Sequence, residues 1–336
     1  EEYIAQAVAK VRAEPNTPAD ITSLILDSHT GRNNQYFSKW GSGFTAKVEV
    51  DFNGENAKYA CVEKYTPNDG KGFDFTQTIA NVPNGDYEVR VQGFYRADRA
   101  DPIAPVYYIN EAQKSLMTID DDARESQGNG WEKERNGKYV PDKMSQSGQC
   151  FYAGGYKNEF VSVRVTDHTL KIGLKALDAK SWVIWDGFDL RLKYAFTDQE
   201  EVENTADKID AIGEVELNDV CKAKIDAARA SYDALTEAQE ALMTEAQKKA
   251  LTDAEARYAD LQAAADAVAK ITAIGEVALT DECKGKIDTA REAYDALSAV
   301  QKEIVTAEQL KVLTDAETRY ADLQAAAEAV AKITDI

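Results

Sequence analysis

Histidine is almost missing from this sequence: His29 and His168 are the two among 336 residues. A three-histidine metal centre is excluded, and a histidine-activated nucleophile has little material to be built from. Cysteine is scarce as well. Cys61, Cys150, Cys221 and Cys283 form no CxxC and no zinc spacing. No apolar run approaches the length of a membrane span, and no leader of the signal-peptide type is present. The chain opens at Glu1 rather than Met, which reads as a processed or trimmed product. Basic residues are outnumbered 39 to 59 by acidic ones, for a net charge of −20. That balance argues against nucleic acid and against an anionic membrane as partners, and no membrane insertion is expected. GxSxG, P-loop, HExxH and GxGxxG fingerprints are absent too.

What is present divides at about residue 198. Residues 1–198 hold 24 basic and 29 acidic side chains, whereas residues 199–336 hold 15 and 30. A break of this kind marks two different sorts of domain. The acidic part is a tandem repeat. "AIGEVELNDVCKAKIDAARASYDAL" at 211–235 returns as "AIGEVALTDECKGKIDTAREAYDAL" at 273–297, and 45 of 67 positions from Lys208 to Ile274 match at an offset of 62. Cys221, Ile225, Ala228, Tyr232 and Leu235 recur at three- and four-residue spacing, which gives one apolar helix face. A second such face runs without a breaker from Leu251 to Gly275. A helix over about 245–274 is too long for one small bundle, being roughly 45 Å. Its first half therefore closes one three-helix bundle (197–274) and its second half opens the next (255–336). Cys221 and Cys283 read as small buried hydrophobes of separate bundles, unable to bond each other.

Residues 46–194 carry eight to ten strand-like runs separated by Gly, Pro, Asn and Asp, among them "FDFTQTI", "YEVRVQGFY", "FVSVRV", "TLKIGLKA" and "WVIWDGFDLRLKY". Many strands without long intervening helices predict an antiparallel β-sandwich over 16–196. In the last run Trp182, Ile184, Phe188, Leu190 and Leu192 fall on one face, interrupted by Asp186. Pro141 opens a short helix that Gly154-Gly155 closes. Residues 1–15 have helical spacing at Ile4, Val8 and Val11 and read as the tail of a preceding module.

The elements "ITSLI", "FDFTQTIANVPNGDYEVRVQGFYR", "YVPDKMSQSGQCFYAGGY", "LKIGLK" and "WVIWDGFDLRL", in this order, resemble the jelly-roll, galactose-binding-like domains of surface proteins from glycan-feeding gut bacteria. The acidic repeats, through "AIGEV", "KIDAARASYDAL" and "LTDAEARYADL", resemble FIVAR-like three-helix spacers of bacterial surface proteins. The fold these resemblances imply is a multidomain β plus α chain, a jelly roll followed by tandem three-helix bundles that share long continuous helices. They imply a secreted or cell-surface setting and a glycan or surface-protein partner. Spacers of this kind occur in strings, so further repeats are expected in the parent protein.

Sugar recognition wants an aromatic plate and polar forks. Trp131 lies in the longest loop-like stretch, "SQGNGWEKERNGKY", and Arg96 with Tyr95 ends a strand. With Asp98 and Trp40 they form the candidate ligand set, although Arg96 also reads as a salt-bridge arginine held by Asp98 or Asp101. Trp182 and Trp185, on a strand, read as structural. "DDDARESQGNGWE" fails the EF-hand pattern, because Arg124 stands where an oxygen ligand belongs. Asp186 is the candidate for a structural calcium, or else caps backbone amides at a strand bend. No other cofactor is expected. The reading is a non-catalytic carbohydrate-binding module on a rigid helical spacer. Its alternatives are an adhesive module without a sugar site, or an accessory piece of a larger glycan-degrading enzyme.

Overall fold

The computed structural model describes residues 2–26, 28, 47–49, 61–65, 72–97, 103–177 and 181–334. Internal contacts divide the chain into two units, Glu1–Thr197 and Asp198–Ile336.

The first unit contains α1 (Glu2–Ala13), β1 (Ala19–Asp20), β2 (Lys47–Glu49), β3 (Cys61–Tyr65), β4 (Phe73–Ala80), β5 (Gly85–Ala97), β6 (Val106–Ile109) and β7 (Ala112–Ser115). It continues with β8 (Lys133–Arg135), β9 (Lys138–Val140), α2 (Met144–Tyr152), β10 (Val161–Val165), β11 (Thr169–Ala176) and β12 (Ser181–Ala195). Two large antiparallel sheets result, one in the order β10-β5-β12-β3-β2 with β1 added on β12, the other in the order β4-β11-β6-β7, and β8 pairs with β9 alone. Period-two alternation decides what each strand buries. Phe73 and Phe75 from β4, with Leu170, Ile172 and Leu174 from β11, meet Tyr87, Val89, Val91, Leu190 and Leu192 of the larger sheet in one core. This is the expected sandwich.

β12 departs from its sequence pattern. Trp185 pairs with Gly93 but Phe188 pairs with Val91, so β12 carries one residue more than β5 at this point. The bulge reverses the parity of the strand. Val183, Trp185, Phe188, Leu190 and Leu192 therefore face the inter-sheet core, while Trp182 and Ile184 point to the opposite face. There, with Cys61 and Phe94, they meet a second core supplied by the 119–156 segment: Ile119, Trp131, Val140, Met144, Cys150, Phe151 and Tyr156. α2 begins at Met144 rather than at Pro141 and ends before Gly154, which takes φ +84°.

The N-terminal helix packs as part of this unit. Ala7 and Val11 enter the sandwich core, and Arg12 Nη2 donates to the Phe196 carbonyl at 2.5 Å.

The second unit is built from α3 (Asp198–Asp210), α4 (Asp219–Asp233), α5 (Glu237–Glu240), α6 (Glu245–Thr272), α7 (Asp281–Asp295), α8 (Ala299–Ile304) and α9 (Ala307–Thr334). Its repeat is carried through to the contacts. Ile209, Ile212, Cys221, Ile225, Ala228, Leu251 and Ala254 form one core, and their partners at the 62-residue offset, Ile271 to Ala316, form the next. The pair Arg229–Glu255, bidentate at 2.6 and 2.7 Å, is repeated as Arg291–Glu317. Helix starts are fixed by side chains. Thr236 and Ser298 both form capping boxes, which satisfy amides that a helix leaves open. α6 is continuous, with Leu251 and Ala254 in the first core and Ile271 in the second. Ile271 is 1% exposed and its equivalent Ile333 in α9 is 72% exposed, a measure of how fully the second bundle covers the end of α6. No described helix is long and apolar enough to cross a membrane.

Candidate ligand-binding site

Among the described residues, those singled out in the sequence do not come together as one exposed cluster. Trp131 is fully enclosed, at 0% exposure. Its indole Nε1 donates to the Asp122 carbonyl at 2.9 Å, and one ring face stacks on Tyr156 at 6.1 Å and 10°. The Arg124 guanidinium lies 3.5 Å from the ring centroid. Gly155 makes the enclosure possible, because a Cβ there would lie 2.3 Å from the indole. Trp131 is thus a core residue under a hairpin loop and offers no plate to a sugar. Tyr95 is buried in the inter-sheet core as well, and burial, followed by the charge of Asp121, raises its phenol above the ordinary range. Trp40 and Asp98 lie outside the described residues, as does Asp101.

Arg96 sits opposite Trp182 across β5 and β12. Its Nη1 is 3.0 Å from Asp142 Oδ1, whose other oxygen is 3.0 Å from Lys133 Nζ. The guanidinium lies 4.9 Å from the Trp182 ring centroid, and Trp182 Nε1 donates to Glu63 Oε2 at 2.8 Å. Arg96, Asp142, Trp182 and Glu63 border an open cleft of about 170 Å³. Arg96 therefore holds a salt bridge with Asp142, a residue 46 positions away.

Asp186 occupies the bulge of β12, fully buried between Trp185 and Phe188. Among the described residues no three His, Cys, Asp or Glu side chains gather into a possible metal site. Calcium takes six to eight oxygens, usually several from carboxylates. Around Asp186, at the strand bend, the described residues gather no such carboxylate set.

A larger concavity lies elsewhere, on the outer face of the four-stranded sheet. It has a volume of about 400 Å³, within the roughly 300–1,000 Å³ usual for small-molecule clefts. Its floor is Tyr108. The ring lies across Gly173, where a Cβ would come within 2.6 Å of the phenol oxygen, and it is 4% exposed. The hydroxyl donates to Asp74 Oδ1 at 2.7 Å. Burial raises this phenol's pKa, so the hydroxyl keeps its proton. Lys171 and Lys175 stand on either side of Gly173 on β11, their ammonium nitrogens 5.9 and 5.0 Å from the Tyr108 centroid. Asn110, in a left-handed turn at φ +49°, ties the rim by accepting from Lys171 N at 2.7 Å and donating to the Thr169 carbonyl at 3.1 Å. Asp167 Oδ1 accepts from Thr169 N at 3.2 Å, and Glu111 completes the lining.

Carboxylate acceptors, an amide and two ammonium donors thus converge on one concave face. That is a set for hydroxyls and charged groups. The sequence reading passed over it. The available signal was "KIGLK": two lysines four apart on a strand share a face, with a glycine gap between them.

No family model matches the chain, and no curated protein matches it. Similar solved structures include a β-glucuronidase of Bacteroides uniformis, 15% identical with a TM-score of 0.19, covering 46% of this chain and 14% of that one. Another is Bacteroides uniformis β-glucuronidase 2 covalently bound to cyclophellitol-6-carboxylate aziridine, 13% identical with a TM-score of 0.19 and the same coverage of 46% and 14%. The chain spans 14% of the length of these proteins.

Proposed function

We propose that the sandwich unit is a non-catalytic carbohydrate-binding module, and that the helical unit is a stiff spacer in a secreted or cell-surface bacterial protein. The observation that carries this reading is the polar cavity over Tyr108. Its carboxylates and ammonium groups supply both halves of the hydrogen-bonding that sugar hydroxyls require. Asp74 is engaged by the Tyr108 hydroxyl and Asp167 by a backbone amide, an arrangement that orients acceptors rather than setting up a proton-transfer couple. Resemblance of the strand motifs to galactose-binding-like jelly rolls, and of the repeats to FIVAR-like bundles, points the same way. The long continuous α6 gives the spacer its stiffness.

One open cleft of this size gives weak binding, about millimolar and worth roughly 4 kcal/mol. Repetition on a cell surface would raise that by avidity. Electrophoresis of the full chain through gels containing neutral, acidic or sulfated polysaccharides tests the reading. Retardation in at least one gel is expected, with normal mobility restored by Asp74→Ala. Unchanged mobility in every gel would favour an adhesive module that contacts protein.

A further inference from the structure

The two lysines of the sheet-face cavity define what kind of sugar it takes. We infer that the ligand is a saccharide bearing an acidic group, a carboxylate or a sulfate ester, seated between Lys171 and Lys175 above the Tyr108 ring. This inference rests on the proposal that the cavity binds glycan, and it adds the chemical class.

Three observations support it. Several cations elsewhere on this sandwich are matched with acids: Lys114 with Glu159 at 2.7 Å, Arg164 with Asp86 at 2.7 Å, Arg90 with Asp189 at 2.6 Å. Lys171 and Lys175 form no ion pair among the described residues, although the strand register sets Lys175 directly opposite Asp74. Two of the three lining acids are turned to other donors, Asp74 to the Tyr108 hydroxyl and Asp167 to the Thr169 amide, and Glu111 is the third. Finally, both ammonium groups stand over the same ring. An oxyanion seated between them gains two charge-assisted hydrogen bonds. Their four-carbon stems allow both to reach one acidic group. The remaining polar rim, Asn110, Glu111 and Asp167, is then left for hydroxyls.

The test is calorimetric titration of the full chain with four probes. These are a disaccharide containing glucuronic acid, a sulfated disaccharide, the neutral disaccharide obtained by reducing the uronic carboxylate to an alcohol, and inorganic sulfate. Wild type, the double variant Lys171→Gln/Lys175→Gln and Arg96→Ala are compared at low and high salt. The expectation is that at least one acidic sugar binds about tenfold or more tightly than the neutral one, as an added charge-assisted contact would give. The preference should vanish in the double variant and weaken with salt.

Equal binding of acidic and neutral sugars, with the double variant unaffected, would overturn the acidic-ligand inference and leave the glycan reading standing. Loss of binding in Arg96→Ala alone would move the site to the other cleft and overturn it too. Inorganic sulfate binding as tightly as the sugars would reduce the site to a simple anion site. No heat with any sugar, from protein of unchanged melting temperature, would sink both the inference and the reading beneath it.

Discussion

Trp131 and Tyr108 invert the usual inference from local context. Trp131 is flanked by glycine and asparagine, which marks a loop, and a loop tryptophan suggests a contact surface. The loop folds back, however, and Gly155 vacates space for the indole, so the ring becomes core. Trp131→Ala should cost about 3–5 kcal/mol in urea denaturation, as large aromatic truncations do, and leave sugar affinity unchanged in whatever remains folded. A cost below about 1 kcal/mol would contradict the enclosure. Arg96→Ala removes a partly exposed pair with Asp142, so a loss of about 1 kcal/mol or less is expected, read as a small drop in melting temperature. Trp182 and Trp185 read as structural from their place on a strand, and both are buried, one on each face of β12. Burial of Trp131 was not legible in the sequence, because it depends on Gly155 and Tyr156, brought together only by the tertiary fold.

Among elements, β12 and α6 mark where pattern reading succeeds and where it breaks. The heptad-like spacing from Leu251 to Ile271 carries its own register, so a continuous α6 was legible in the residues. The bulge of β12 was not, since period two looked intact across Asp186 while the pairing with β5 had slipped by one. Inserting Gly-Pro after Ala264 should break α6, because proline lacks the amide and clashes with the preceding turn. Small-angle scattering of the variant should then show two loosely linked bundles within the helical unit. An unchanged profile would contradict a stiff shared helix. The Arg229–Glu255 pair gives a pH signature. Hydrogen bonding to Arg229 lowers the Glu255 pKa in the folded state, even though partial burial opposes it. The pair's contribution is therefore full above the unfolded carboxyl value and is lost as pH falls through the folded one. Glu255→Gln should flatten the acid side of the helical unfolding profile followed by circular dichroism. An identical acid limb would show that the pair adds nothing.

For the whole molecule, the separate cores decide the thiol chemistry. Cys221 and Cys283 sit in different bundle cores, and Cys61 and Cys150 lie in the second core of the sandwich, all four buried and outside any disulfide. Cys61 Sγ donates to the Met144 carbonyl at 3.4 Å, and burial pushes the Cys150 thiol pKa up, which keeps it protonated and unreactive. A thiol reagent should label the native chain slowly and all four cysteines once it is denatured. Fast labelling of Cys221 or Cys283 in the folded chain would contradict the bundle cores. The two-unit division and both architectures could be read from composition, repeat and strand spacing, because each is set along the chain. The cavity could not, since it joins β4, β6 and β11 across a register that no local pattern reveals. That cavity is the central claim, and the most direct test maps it. Nitrogen-15 amide spectra of the full chain are recorded during titration with a saccharide that binds. The account predicts shifts concentrated at Asn110, Thr169, Lys171 and Gly173, whereas shifts confined to the surroundings of Arg96 and Trp182 would contradict it.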